Sequence, residues 1–217
     1  MASRATIVTS IRRFLGTASN DPAYTDTILN PIVQEAADSL VTDINIQNPA
    51  YNSTTVTLGA DSSTGRVYTF ATQSTALTDF SRWLEVRWTD SDGLELIEVP
   101  LDGLRQAGAS HFAIRGIDSA GVLETSKDSQ VGTDLFFRYT QWPVALSGDS
   151  SVPGGIPLHF HDVIALEALY AFALGGETRL PASLFARWTD RRGQLIHHVG
   201  KRGAQPSRTR LYVGAFD

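Results

Sequence analysis

The chain predicts an α+β fold: a helical bundle of two N-terminal and two C-terminal helices, an inserted antiparallel β-rich block, and an extended C-terminal arm. Three observations carry that reading. Apolar residues recur at helical spacing near both ends. Between residues 49 and 146 they alternate with polar ones, and beyond Gly200 glycine, proline and arginine replace any regular period. The expected segments are residues 1–48, 49–146, 147–199 and 200–217.

Ile7, Val8, Ile11, Phe14 and Leu15 share one face of a short helix over Ala5–Leu15, closed by Gly16. Ser19-Asn20-Asp21-Pro22 is a turn cluster, because Asx side chains bond the local backbone and proline fixes φ. A longer pattern over Thr25–Asn45 places Ile28, Ile32, Val33, Ala36, Ala37, Leu40, Val41 and Ile44 on one broad face. Asn30-Pro31 interrupts it, either as a kink or as a cap followed by a fresh first turn. The preferred expectation is a short turn and a new helix from Pro31.

After Asn48-Pro49 the period becomes two. Thr54–Leu58, Arg66–Ala71, Arg82–Thr89, Leu94–Val99, Phe112–Ile117, Val122–Thr125 and Leu135–Trp142 read as strands rich in β-branched and aromatic residues. Turn clusters at residues 62–65, 90–93 and 118–121 separate several of them. Alternation puts Leu84, Val86 and Trp88 on one side of a strand and Trp83, Glu85 and Arg87 on the other. Leu135, Phe137 and Tyr139 oppose Phe136 and Arg138 in the same way, the pattern of half-buried antiparallel hairpins.

A Gly/Ser/Pro linker over Ser147–Gly155 returns the chain to helix. Pro157 suits a first turn, and Val163, Ile164, Leu166, Ala168, Leu169, Ala171, Phe172 and Leu174 follow with few polar interruptions. A helix apolar on nearly every side is expected between other elements. Gly175-Gly176 is read as its left-handed end. A second helix from near Pro181 carries Leu184, Phe185, Trp188, Leu195 and Ile196, and the short connection predicts an antiparallel hairpin.

At 217 residues the chain is long enough to bury a real core. It has no cysteine, which removes disulfides and thiolate metal sites. The start lacks the apolar core of a signal peptide, and Val163–Leu174 is too short to span a bilayer, so a soluble intracellular protein is expected until assembly. Net charge is −5, unevenly spread. From Arg179 onward eight basic side chains face two acidic ones, a net of +6, while Met1–Thr178 carries 10 basic and 21 acidic, a net of −11. That asymmetry suggests an acidic body with a basic end that reaches for a partner; a solvated helix face with a frayed tail explains it as well.

Three stretches then carry a resemblance. They are Ile11-Arg12-Arg13-Phe14-Leu15 with Asn20–Asp26 and the helix to Asn45; the hairpin from Trp83–Trp88 to Leu94–Pro100; and Phe137-Arg138-Tyr139 through Trp142-Pro143 to Ile156–Asp162. Together they resemble the head–tail connector, or adaptor, proteins of tailed bacteriophages. The resemblance implies a structural virion protein rather than an enzyme, without cofactor or metal. It implies the portal protein, tail or neck proteins and further copies of the same chain as partners. The copies form a ring, twelve in the family's pattern, in the virion neck, and DNA passes through without specific binding. The strand block is larger than in the smallest members, which points toward a neck or tail-attachment role.

Catalytic motifs are absent at the sequence level: there is no Gly-x-x-x-x-Gly-Lys-Ser/Thr loop and no Gly-x-Ser-x-Gly elbow. His159 and His161 begin one helix of the hairpin and His197 and His198 end the other, so with Asp162 a zinc site is geometrically open. Helix-end histidines bonded to backbone or partner groups are the plainer reading. Glu85, Glu95 and Glu98 could face one another as acid and base, but solvent-side charges on a two-faced sheet explain them better. Trp83, Trp88, Trp142 and Trp188 could form a sugar-stacking platform, which keeps a carbohydrate- or receptor-binding module as the alternative. Trp88 and Trp188 are assigned to cores, Trp83 and Trp142 to subunit contacts. In the arm, Thr209, Leu211 and Val213 alternate with Arg208, Arg210 and Tyr212. Arg202, Arg208, Arg210, Leu211, Tyr212, Val213 and Phe216 are therefore the candidate residues for binding the portal or a neighbouring subunit as an added strand, ahead of DNA. A disordered tail is the competing reading.

Overall fold

A computed structural model describes residues 2–18, 21–61, 65–73, 77–89, 93–116, 120–126, 133–175 and 181–203, with the side chains of 202 and 203 excepted. Among them the fold is mixed α/β, with five helices and two sheets and no barrel.

Helix α1 (Arg4–Leu15) is capped by Ser3, whose side chain accepts from the Thr6 N–H, and ends at Gly16, left-handed at φ 69° as its sequence position requires. Helix α2 (Asp26–Gln47) is continuous. Pro31 lies inside it, so the expected break and restart does not occur. The reason is local: Pro31 withholds its bond from Thr27 near the start of the helix, where both residues are exposed, and water can solvate the freed carbonyl. Arg12 ties the two helices by donating to the Tyr24 carbonyl at 2.9 Å and pairing with Asp26 at 2.8 Å.

Seven strands follow: β1 (Ser53–Leu58), β2 (Val67–Thr69), β3 (Phe80–Trp88), β4 (Ile97–Glu98), β5 (His111–Arg115), β6 (Val122–Thr125) and β7 (Leu135–Gln141). A single turn, α3 (Leu101–Leu104), joins β4 to β5. The first sheet runs β1-β7-β3 and is antiparallel; the second runs β2-β6-β5-β4. The second sheet is mixed, because β4 pairs parallel with β5, which corrects the expectation of a wholly antiparallel block.

The predicted Leu94–Val99 strand is shared between the sheets. Its first half lies along β3, with Trp88 N–H donating to Leu94 and Leu96 N–H to Val86. Its second half crosses to β5. A register shift between Trp83 and Glu85 also takes Leu84 out of the ladder. Trp83 therefore stands opposite Tyr139, on the same face as Val86 and Trp88, not on the opposite face as strict alternation predicted. It is half-buried and meets Phe112 edge-to-face at 5.3 Å, bridging the two sheets.

The helices after β7 are α4 (His161–Leu174), entered through a 3-10 turn over Leu158–Phe160, and α5 (Ala182–Gly203). α4 is buried against α1, α2 and α5, as its all-round apolarity required. Gly175 is right-handed at φ −67°, so the left-handed end expected there is not at that residue. α5 runs past Gly200, where the arm was expected to begin. Val199 is buried, and Asn48 Nδ2 donates to its carbonyl at 3.2 Å, holding the last turns in place.

Two apolar cores result. One is built from α1, α2, α4 and α5, with Leu146, Ile156 and Phe160 added. The other lies within the strands, around Phe70, Phe80, Phe137 and Tyr139, whose ring centroids are 5.0 to 5.8 Å apart. Polar bonds stitch the cores together. Thr140 Oγ1 donates to Pro49 at 2.8 Å and Asn45 Nδ2 to Gln141 at 3.2 Å. Gly155, at φ 75°, is needed where the chain returns: a Cβ there would stand 3.0 Å from Asn52 Nδ2 and 3.2 Å from Val41 Cγ2.

Candidate docking surfaces

α5 is held on the bundle by two arginines. Arg191 grips Asp162 through Nε at 3.0 Å and Nη2 at 2.6 Å, and Nη2 also donates to the His159 carbonyl at 2.8 Å. That carboxylate, in the first turn of α4, also suits the positive end of the helix. Its hydrogen bond raises the Arg191 pKa above the ordinary guanidinium value. Arg192 pairs with Asp43 of α2 and approaches Glu167 of α4 at 3.8 Å. Glu167 in turn accepts from Trp188 Nε1 at 2.7 Å, and the Trp188 ring stacks on Tyr170 at 4.0 Å with 12° between planes. Trp188 is thus a half-buried strut between α4 and α5, not the core residue expected.

Beside this network lies a groove of about 890 Å³ between the end of α2 and α5, lined among others by Ile46, Gln47, Trp188, Ile196, His197 and Lys201. Ile46 is 76% exposed. α2 carries Asp26, Glu35, Asp38 and Asp43 and no basic residue, so the surface is acidic along α2 and basic toward the end of α5. The sequence reading missed this groove. Its signals were Ile46, out of phase with the buried Ile44, and Gly193 in mid-helix, where a Cβ would meet nothing within 4 Å.

The four histidines do not gather at one site, although one from each end of the hairpin meets the other. His161 turns inward, Nδ1 3.3 Å from the Ala2 carbonyl and Nε2 3.1 Å from that of Ile156. His159 meets His198 edge-to-face at 4.8 Å, while His197 lines the groove. With Asp162 engaged by Arg191, no group of three or more histidine or acidic side chains placed to hold a metal occurs among the described residues. Of the three carboxylates, Glu85 and Glu95 both flank Arg87, and only Glu98 is set apart. Glu85 pairs with Arg87 at 3.4 Å, Glu95 lies across from Arg87, and Glu98 is in the other sheet.

No family model and no curated protein matches this chain.

The tryptophans form no common platform: Trp88 is buried, Trp83 sits against Phe112, Trp188 belongs to the helical hairpin, and Trp142 stands alone at 46% exposure. Trp142 and the neighbouring exposed Val144 remain available for contact. Of the candidate arm residues, Arg202 is in the last turn of α5, its side chain outside the described residues. Arg208, Arg210, Leu211, Tyr212, Val213 and Phe216 lie wholly outside them. No helix among the described residues is long and apolar enough to cross a membrane.

Proposed function

We propose that this chain is a structural assembly protein, a head–tail connector of a tailed bacteriophage. It forms a ring beneath the portal that joins capsid to tail and leaves a channel for DNA. In this reading the helical bundle is the ring-forming body, the strand block is an insertion projecting from it, and the basic C-terminal arm extends to a partner. The observation that carries it is the layout: the two ends of the chain together build one helical core, the intervening strands have their own, and charge is segregated between an acidic body and a basic end. A closed ring is built from heterologous contacts between two different surfaces of one subunit, and an acidic body with a basic end offers a complementary pair for such a contact. The resemblance noted in the sequence points the same way. The carbohydrate-binding alternative draws no support from the scattered tryptophans.

The purified protein, alone and mixed with the portal, is to be examined by light scattering and negative-stain imaging. A ring or a portal-bound complex is expected. A monomer that ignores the portal and binds glycans instead would reverse the assignment.

A further inference from the structure

Of the sheet edges, β1 is the one left open over Thr54–Leu58 among the described residues. β3 is covered over its second half by Leu94–Leu96, and its first half carries Arg82 and two register shifts. β2 is closed by Asp61, which donates its N–H to Val67 and accepts from the Thr69 N–H at 2.6 Å. β4 has two residues, ends in Glu98 and runs into Pro100. These are the usual protections against unwanted strand pairing. Within β1 none of them occurs: Ser-Thr-Thr-Val-Thr-Leu has no charge and no proline, and its ladder with β7 is unshifted over six residues. Just beyond it the Gln73 side chain accepts from the Gly59 N–H at 2.8 Å and donates to its carbonyl at 3.2 Å, which ends the open stretch there. Among the described residues, Thr54–Leu58 make no backbone hydrogen bond except to β7.

The edge is also polarised. Toward Ser53 lies a cation, Arg138, whose Nε donates to Ser53 Oγ at 3.0 Å. Beyond Leu58 is a cleft of about 490 Å³ whose lining includes Asp61 and Asp134, neither in an ion pair among the described residues.

We propose that β1 is the acceptor edge for the C-terminal arm of a second copy of this chain, which adds antiparallel with Leu211 opposite Val56. The proposal rests on the connector reading, in which the arm docks on a partner. In that register Thr209, Leu211 and Val213 continue the face of Leu58, Val56 and Thr54, toward the strand core. Arg210 falls opposite Thr57, and Arg208 falls past the end of the ladder, which Gln73 closes at Gly59, beside Asp61 and Asp134. The reverse direction would bring the arginines toward Arg138. The donor is another subunit for a geometric reason. The Asn48–Val199 hydrogen bond roots each arm near the Ser53 end of its own β1. An arm approaching from that side would run parallel to β1, with its cations first at the wrong end. A neighbour's arm can approach from the Leu58 side, and the antiparallel ladder is also the better one. In that register residues 204–207 are the free link between α5 and the docked segment, about 13 Å when extended at about 3.3 Å per residue, so the acceptor's Leu58 end must lie close to the donor's α5.

The absence of cysteine makes the test clean. In full-length protein, the pair Val56→Cys and Leu211→Cys is oxidised, with light scattering on the same sample. A ladder of disulfide-linked multimers is expected, and none from the control pair Arg82→Cys and Leu211→Cys on the far edge. Rings without the ladder, or an equal ladder from the control, overturn β1 as the acceptor and leave the connector reading standing. Crosslinking confined to single chains overturns docking between copies. A monomer that forms no crosslink removes both. As a second variant, exposed Thr57→Lys puts a charge on the edge; an unchanged Tm with assembly weakened about tenfold is expected. Unimpaired assembly by this variant would count against the proposal.

Discussion

Phe172, on α4, is buried in the core shared by α1, α2, α4 and α5, and its ring meets Tyr24 edge-to-face at 6.1 Å. Phe172→Ala removes the transfer energy of the ring and leaves a cavity between helices that cannot close independently. A loss of about 3–5 kcal/mol in urea unfolding is expected. A negligible change would take α4 out of the core. Tyr68 makes the corresponding point in the strands, through a titration. Its hydroxyl donates to the Thr133 carbonyl at 2.7 Å, and burial, with Asp134 nearby, pushes its pKa up to about 12. The unfolded phenol ionises near the ordinary value while the folded one stays protonated. Stability is therefore intact below about pH 10 and falls as pH rises from there toward about 12. Tyr139, bonded to Asp79, shifts in the same direction, first through burial. Tyr68→Phe is accordingly expected to flatten, not abolish, the alkaline loss of stability measured by urea unfolding between pH 9 and 11.5. An unchanged slope would show that the buried phenol does not titrate as its surroundings require.

At the scale of elements, the helices were the most legible part, because three- and four-residue spacing reports burial directly. Gly16 ended α1 as a left-handed residue must, and the unbroken apolar run of α4 announced its central place. Failures came where one residue changed the geometry without changing the composition. The shift at Leu84 reversed the side on which Trp83 lies, and no periodicity reads a bulge. Leu94–Val99 has one strand's pattern, yet it serves two sheets, since pairing partners are chosen by the fold and not by the strand. Pro31 does not break α2, because its penalty depends on whether the freed carbonyl faces water. The docking surfaces were hard to read for another reason: an open edge or groove is defined by what does not cover it. Gly193 offers a direct check. It sits in the middle of α5 with open space above it. Gly193→Ala should raise stability by about 1 kcal/mol through helix propensity alone. A loss of stability in the unassembled protein would mean that the α5 surface is not as open as it stands here.

On the scale of the whole molecule, charge decides how a ring of these subunits would treat DNA. Residues 1–178 carry −11, and the +6 that follows is partly committed: Arg191 and Arg192 are already paired with Asp162 and Asp43. Arms docked beside Asp61 and Asp134 would withdraw Arg208 as well. If the ring forms as proposed, what remains is acidic on balance, and like charge on a channel wall would keep phosphates from settling there. A conduit must not hold its cargo, so weak binding is the functional requirement. The assembled protein is expected to leave duplex DNA unretarded in a gel-shift assay at physiological salt. Lowering the salt should recover little, because a net charge of −5 opposes the approach of phosphates more strongly as screening weakens. A salt-steep affinity that disappears on deletion of Gly203–Asp217 would place the arms on DNA instead of on a neighbour. Affinity that survives that deletion would show a basic lumen, and the charge argument for free passage would fail.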